Sequence, residues 1–349
     1  MKILRKDAHI PPITLLVSHL NTPCSSMALV QATPNDVLYL VVGKASGETV
    51  FLPTVRDHPV VTIESEVKMP ICAIAEGKLR NKEREVVTIQ ANGLLQSLEY
   101  PNGDLKPEKV FSQLIYANVC SAKILDIDGD KLYEMIVMMT DRVVRSYRYS
   151  YDSDRLAPLH KWEMPAQISG WCIGFNGYWH YILLSQCNQP NYISIDFSSS
   201  EVKVLQADQT TPTSNADNYF FVCPQPYAAD LAHYVADEVQ IADSEGCFDR
   251  DINCPAVRGI CCAGALTLDS GVSLVVTLDN AGTLYIYGWS ATGGDYTSDP
   301  VAQCKVLSNG VFLNAYPYRQ RAMSLVVSVV DACGQLAAYL IDLRHVITV

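Results

Sequence analysis

The residues best suited to chemistry form one short acidic segment, which reads DIDGDKLYE at positions 126–134. Carboxylates stand at its first, third, fifth and ninth positions, and a backbone carbonyl is available at the seventh. Oxygen ligands arranged in this way bind hard cations such as Ca²⁺. The candidate calcium ligands are Asp126, Asp128, Asp130, Leu132 and Glu134.

Two interpretations of this segment stay open. It is not an EF-hand, because Lys131 and Val137 occupy the positions where that loop requires Gly and Glu. Asp and Gly also build tight turns through side-chain bonds to their own backbone, without any ion. In that case the segment is a structural turn that holds water, or one in which the Lys131 ammonium takes the place of the ion.

A second constellation follows directly along the chain. Arginines and tyrosines alternate there, and both residue types are favoured at protein interfaces. The candidate partner-binding residues are Arg142, Arg145, Tyr147 and Arg148. The alternative is a solvated outer strand, on which charged residues are ordinary.

Motifs of enzymes do not occur in this sequence. It has no G-x-S-x-G elbow, no G-x-x-x-x-G-K-[ST] phosphate loop and no H-E-x-x-H zinc motif. Its seven histidines are dispersed. We therefore expect a protein that is not an enzyme, with Ca²⁺ as the one cofactor to consider.

The elements that must position these residues repeat along the chain. An apolar strand, a polar turn and a second alternating strand recur, and each copy reads as a β-hairpin. Equivalent positions in six copies are Val42, Val87, Val137, Leu183, Val276 and Val327. Successive spacings are about 45–50 residues, with one double interval, which is typical of propeller blades with four short strands each. The sequence predicts an all-β protein, a β-propeller of six or seven four-stranded blades.

The repeat also suggests the domain organisation. Residues 1–20 fit no blade and are predicted to be an N-terminal segment, whereas 21–349 form a single propeller domain. Within it, 198–260 is either an irregular insert or a degenerate blade, and a short helix near 228–236 is a further alternative. The sequence does not decide how the ring closes. This region, the N-terminal segment or a partner could complete it, or the chain could be truncated.

Composition restricts the partners. The formal net charge is −11, which argues against nucleic acid because phosphate binding needs clustered Lys and Arg. No apolar run approaches the length that spans a bilayer, so we expect no direct membrane insertion. The N-terminal residues do not form a secretory signal, and no Asn-x-Ser/Thr acceptor occurs, so we expect a cytoplasmic protein.

The acidic segment and the residues after it resemble a known family. The pattern D-x-D-G-D-x-x-x-E before an apolar strand resembles the FG-GAP repeat of integrin α-chain propellers. The longer stretch Ser121–Trp162, in which Thr140–Arg145 reads TDRVVR, resembles the integrin-alpha FG-GAP repeat-containing family of the KICSTOR complex. A weaker similarity extends from about Ala28 onward.

This resemblance implies a function that the residues alone do not. It implies a non-catalytic scaffold or adaptor in a KICSTOR-like complex, peripheral to the lysosomal surface through its partners. The expected partners are the other subunits and a GATOR-type GTPase-activating complex, and the expected role is to restrain nutrient-dependent TOR signalling. The alternative that the acidic segment suggests is a Ca²⁺-dependent ligand-binding propeller of the integrin type.

Overall fold

The computed structural model describes most of the chain. The described residues are 2–3, 10–19, 24–31, 36–55, 58–80, 82, 85–99, 107–175, 180–187, 192–197, 199–205, 219–224, 229–235, 238–242, 248–253, 260–268, 272–289 and 300–348. The regular elements of these residues are all β-strands. No helix among them is both long and apolar enough to cross a membrane.

The described residues form thirty strands, and most of these belong to sheets of four. The first two are β1 (Lys2–Ile3) and β2 (Ile13–His19). Sheet 1 contains β3 (Cys24–Val30), β4 (Tyr39–Lys44), β5 (Thr49–Pro53) and β6 (Val61–Ile63). Sheet 2 contains β7 (Ile71–Glu76), β8 (Glu85–Gln90), β9 (Leu94–Glu99) and β10 (Glu108–Leu114). Sheet 3 contains β11 (Val119–Leu125), β12 (Glu134–Met139), β13 (Val143–Ser150) and β14 (Arg155–Glu163).

The remaining strands continue the same pattern. Sheet 4 contains β15 (Ile168–Phe175), β16 (His180–Gln186), β17 (Tyr192–Asp196) and β18 (Val202–Leu205). Sheet 5 contains β19 (Tyr219–Pro224), β20 (Ala229–Val235), β21 (Glu238–Ala242) and β22 (Phe248–Asn253). Sheet 6 contains β23 (Ile260–Thr267), β24 (Ser273–Asp279), β25 (Thr283–Trp289) and β26 (Ala302–Lys305). Sheet 7 contains β27 (Gly310–Pro317), β28 (Ser324–Asp331) and β29 (Leu336–Asp342), and the last strand is β30 (Ile347–Thr348).

Each of sheets 1 to 6 is an antiparallel meander in which consecutive strands are neighbours. Sheet 7 differs, because its fourth strand is β2 from the other end of the chain, paired with β29. The described residues thus form seven four-stranded sheets, the blades of a β-propeller fold. The predicted fold class is confirmed, with seven blades rather than six.

In sheets 1 to 4, 6 and 7, whose side-chain burial the structure describes, the second strand of the blade is deeply buried. The six equivalent positions of the repeat lie in β4, β8, β12, β16, β24 and β28. All six side chains are at most 1% exposed. Burial on both faces explains why these strands read as continuous apolar runs instead of alternating ones.

The hairpin turns follow the predicted chemistry. Gly93 turns β8 into β9 at a φ of +86°, in the left-handed region that glycine adopts without strain. A Cβ at this position would lie 2.4 Å from the carbonyl oxygen of Ile115, so the site also requires the smallest residue because of close packing.

The structure contradicts one part of the predicted domain organisation and decides between the alternatives that another part left open. The exclusion of residues 1–20 from the propeller is wrong, because β2 completes sheet 7 and β1 pairs with β30. Sequence periodicity misses this since the strand lies far from its partners along the chain. The region 198–260 contains the four strands of sheet 5, so it is a blade and not an insert. The helix considered near 228–236 is also wrong, because β20 occupies 229–235, whereas the polar stretch 206–218 lies outside the described residues.

The chain divides into two compact units. One contains 21–168 and with it sheets 1 to 3. The other joins residues 1–20 to 169–349 and contains sheets 4 to 7. All the candidate site residues lie in the first of these units.

Two residues of β2 test its place in the core. Val17 is 7% exposed and Leu15 is 54% exposed. We expect Val17→Ala to lower the free energy of unfolding by about 1–3 kcal/mol, because it removes buried methyl groups and leaves a cavity. The matched Leu15→Ala should change it by no more than about 0.5 kcal/mol. Urea unfolding measures both, and equal effects would show that β2 is not packed as the structure has it.

Candidate functional site

The acidic segment is the loop between β11 and β12 of sheet 3. Asp126 begins it, and its two carboxylate oxygens accept hydrogen bonds from the backbone N–H groups of Gly129 (2.8 Å) and Lys131 (2.9 Å). The short side chain of aspartate can bond to nearby backbone groups in this way, and the turn then needs no contact with residues distant in sequence. The first acidic residue of the loop is therefore used to hold the turn.

The next two aspartates repeat the device. Asp128 Oδ1 accepts a bond from the N–H of Asp130 (3.2 Å), and Asp130 Oδ1 accepts one from the N–H of Leu132 (2.8 Å). The second oxygen of each aspartate, Oδ2, does not take part in these backbone bonds. Both of these oxygens meet the same cation, the guanidinium of Arg148.

Arg148 lies on β13, directly opposite Glu134 in the strand register. Its Nη2 is 2.8 Å from Asp128 Oδ2, and its Nη1 is 2.9 Å from Asp130 Oδ2. Its Nε donates to Glu134 Oε1 at 2.5 Å, and its Nη2 also reaches that oxygen. One guanidinium therefore bridges three carboxylates, which suits its planar fork of donors.

Glu134 is the deepest member of the cluster, with no exposed side-chain surface. Its Oε2 accepts a hydrogen bond from the N–H of Ile127 at 3.1 Å, so both oxygens are partnered. Burial raises the pKa of Glu134 to about 7, against the opposing effect of the Ile127 N–H and of Arg148. A carboxylate this deep is costly to leave unpaired.

The preceding blade repeats this arrangement without the aspartates. Glu85 begins β8 as Glu134 begins β12, and its side chain is fully buried as well. It accepts bonds from the backbone N–H (2.8 Å) and the Nε (3.0 Å) of Arg80, and from the hydroxyl of Ser97. A buried Glu with a backbone N–H and an arginine is thus a repeated structural device of these blades. Glu134 needs no metal ion to explain its place.

In this structure the oxygens of the loop bind a guanidinium, and calcium binding stays a prediction. Ligand oxygens of Asp126, Asp128 and Asp130 do lie within 4.8 Å of one another, so the spacing suits a cation. However, Arg148 already binds the Oδ2 atoms of Asp128 and Asp130. Both oxygens of Glu134 also accept hydrogen bonds. Calcium at the same point would meet the positive charge of Arg148, and like charges in one site repel.

Lys131 does not replace the ion. Its side chain is exposed, and its ammonium forms no ion pair with any described residue. Its backbone is the informative part, because φ is +70° in the left-handed region that glycine tolerates best.

The predicted arginine and tyrosine stripe does not form one surface. Tyr147 is only 3% exposed and belongs to the apolar core of sheets 2 and 3. Arg142 lies in the exposed turn, where it donates to the carbonyl of Pro165 (3.0 Å) and to Glu163 (3.3 Å). Arg148 binds three carboxylates of the acidic loop.

Arg145 differs from these three residues. Its guanidinium lies over the ring of Tyr116, with Cζ 3.7 Å from the ring centroid. The structure thus places the four candidate residues in four different environments. Their part in partner binding stays a prediction.

Arg148 contacts the acidic loop, and the sequence analysis did not predict this contact. Its partnership with Glu134 follows from register, because the two residues are equally distant from Asp141 in the hairpin turn. A hairpin centred on that turn pairs them across the strands. The pairing of Glu134 with Arg148 could therefore be predicted from the hairpin.

Comparisons with known proteins agree with the sequence resemblance. The sequence model of the family described as integrin-alpha FG-GAP repeat-containing protein 2 matches residues 57–223, just under half of the chain. The KICSTOR complex protein ITFG2 of Mus musculus is 31% identical over 160 residues, which cover 38% of this chain and 34% of that protein. The protein of the same name from Bos taurus is 30% identical over 156 residues, covering 38% and 29%. The resemblance is confirmed over this segment, and the matches span about a third of the length of these relatives.

Solved structures agree on the fold. BBS1N, in a crystal structure of its complex with ARL6DN, is similar with a TM-score of 0.64 at 9% identity, over 99% of both chains. The WD40 β-propeller domain of Doa1 is similar with a TM-score of 0.60 at 9% identity, over 94% of this chain and 96% of that one. At such identities the likeness shows the propeller fold alone.

Removal of the guanidinium tests the role of Arg148. We expect Arg148→Met to lower the free energy of unfolding by about 2–3 kcal/mol, because Glu134 loses its charged hydrogen-bond partner and must take up a proton to stay buried. The same substitution at Arg142, whose ion pair is exposed, should cost no more than about 1 kcal/mol. Adding Glu134→Gln to Arg148→Met should restore part of the loss, and a full additive loss would contradict the pairing.

Calcium should distinguish the native loop from its variant. In the presence of millimolar Ca²⁺ we expect no rise in the melting temperature of the native protein, because Arg148 fills the site. We expect a rise for Arg148→Met, since an ion that binds the folded state stabilises it. A rise of equal size in the native protein would show that the loop binds calcium beside the arginine.

The backbone of Lys131 gives an independent test of the loop. We expect Lys131→Gly to raise the free energy of unfolding by about 0.5–1 kcal/mol, because relief of the left-handed strain exceeds the entropy that glycine adds to the unfolded chain. Lys131→Ala removes the same charge but keeps the Cβ, so it should give no gain. A gain of equal size for Ala would mean that charge, and not backbone conformation, is responsible.

Proposed function

We propose that this chain is a non-catalytic scaffold or adaptor subunit of a KICSTOR-like complex. In this role it helps to recruit a GATOR-type GTPase-activating complex to the lysosomal surface and so restrains nutrient-dependent TOR signalling. The observation that carries the proposal is the similarity to proteins named as KICSTOR complex subunits in two mammals. The similarity includes the sheet 3 segment, where the sequence motif is most specific.

The geometry of the charged residues supports a structural role. The acidic cluster that offers most to chemistry is used to close a loop, with Arg148 bonded to three carboxylates. Glu85 of sheet 2 is likewise held by Arg80. Catalytic carboxylates need an unsatisfied proton or lone pair aimed at a substrate, whereas these are satisfied internally.

A propeller also suits a scaffold for a physical reason. Its blades are rigid sheets that present connecting loops and exposed strand faces to partners, while the buried second strands keep the frame constant. We propose that the chain is cytoplasmic and reaches the lysosomal surface through the other subunits, without inserting into the membrane.

The alternative is a calcium-dependent ligand-binding propeller of the integrin type. The three aspartates within 4.8 Å of one another favour it. The position of Arg148 among them disfavours it, and the scaffold is therefore the function that the site supports better.

Affinity capture tests the scaffold proposal. The tagged chain, expressed in cells, should recover the other subunits of the complex, and an unrelated tagged propeller should recover none. The fraction of the chain on lysosomes should also fall when a partner subunit is deleted. Recovery of a folded chain without any of these subunits would sink the proposal, and unchanged lysosomal binding after the deletion would overturn attachment through partners.

A further inference from the structure

The three arginines of the sheet 3 hairpin differ in how their charge is neutralised. Arg142 contacts Glu163, and Arg148 contacts three carboxylates of the acidic loop. Arg145 forms no ion pair or hydrogen bond with any residue that the structure describes. Its positive charge is thus uncompensated in a chain whose formal net charge is −11.

The guanidinium of Arg145 is nevertheless held in one place. It lies over the ring of Tyr116, with Cζ 3.7 Å from the ring centroid, which is within the range of a cation–π contact. The residue is half-buried, and its Nε is buried without a partner, so any ligand that neutralises the charge must bind the two terminal nitrogens. The fork of donors is therefore oriented before any ligand arrives, and this reduces the entropy lost on binding.

The surroundings combine apolar surface with a second positive charge. Tyr116 is 56% exposed, and Leu114, which ends the last strand of sheet 2, is 67% exposed. Lys161 lies directly opposite Arg145 in the register of β13 and β14, and its side chain is 49% exposed. We call Leu114, Tyr116, Arg145 and Lys161 the Tyr116–Arg145 surface.

We propose that the Tyr116–Arg145 surface is a docking site for an acidic segment of a partner protein, one that carries an apolar or aromatic residue next to its carboxylate. The carboxylate binds the terminal nitrogens of Arg145 in a bidentate pair, and the neighbouring apolar side chain packs on Tyr116 and Leu114. Arginine and tyrosine supply much of the binding energy at protein interfaces for this reason.

A nucleic acid suits this surface less well. A phosphate backbone is bound by many cations at once, whereas the surface has one uncompensated guanidinium and one ammonium, and the latter lies 3.5 Å from Glu163. The surrounding charge of the chain would repel a polyanion but tolerates a short acidic segment. The existence of this docking surface does not depend on the proposed scaffold function, whereas the identity of its natural partner does.

The test uses a display library of random peptides selected on the immobilised full chain. We expect enriched peptides to contain Asp or Glu beside an aromatic or aliphatic residue. Arg145→Gln should weaken the binding of the enriched peptides about tenfold or more, and Arg145→Lys should restore only part of it, because lysine lacks the bidentate fork. The matched Arg155→Gln should leave the binding unchanged, since that exposed arginine lies at the opposite end of β14 from Lys161.

Several results would overturn the proposal. They are a selection that enriches no peptide, a selection that enriches peptides without acidic residues, and equal binding by the native chain and Arg145→Gln. Thermal melting of each variant ensures that a loss of binding is not a loss of folding, and Tyr116→Leu provides a second variant that should bind more weakly. If the peptides behave as expected while affinity capture recovers no KICSTOR-like subunits, the docking site stands and the proposed function fails.

Discussion

The burial of the second strand on both faces, in every blade whose side-chain burial the structure describes, is the constraint on which the rest of the structure depends. Such a strand has no polar face, so the chain must be apolar along its whole length there and must turn in polar loops at both ends. The first residue of the strand is the point where a polar side chain enters the core. Glu85 and Glu134 occupy that point in two successive blades, and each has an arginine and a backbone N–H for its carboxylate.

This constraint changes the meaning of the acidic loop. Four carboxylates close together indicate a cation, and a cation is present, but it is the guanidinium of Arg148 from the neighbouring strand. Asp128 and Asp130 each divide their two oxygens between the backbone of their own loop and that guanidinium, whereas both oxygens of Asp126 bind the backbone. A loop whose pattern is typical of calcium binding can thus be closed by the protein alone, because a planar cation with five donors satisfies several carboxylates.

The sequence predicts the blades better than the boundaries between them. Six hairpins lie where the repeat places them, because turn residues and apolar periodicity are local signals. For the region of sheet 5 the sequence does not decide between an insert and a blade, since its strands deviate from the apolar pattern of the others. The sequence does not predict that residues 13–19 belong to a blade, because nothing in a short apolar segment shows that its partner is β29, more than 300 residues away.

The sequence by itself determined that this protein is an all-β repeat, which strands are buried, and to which segment the family resemblance applies. It also contained the register that pairs Glu134 with Arg148, because a hairpin relates residues across a short turn. Only the tertiary structure decided that Arg148 enters the loop, that Arg145 lies on Tyr116 without a carboxylate, and that β2 completes the last blade. These outcomes depend on which side chains meet between strands and sheets, and hydrophobic periodicity specifies the face of a residue but not the partner that it meets there.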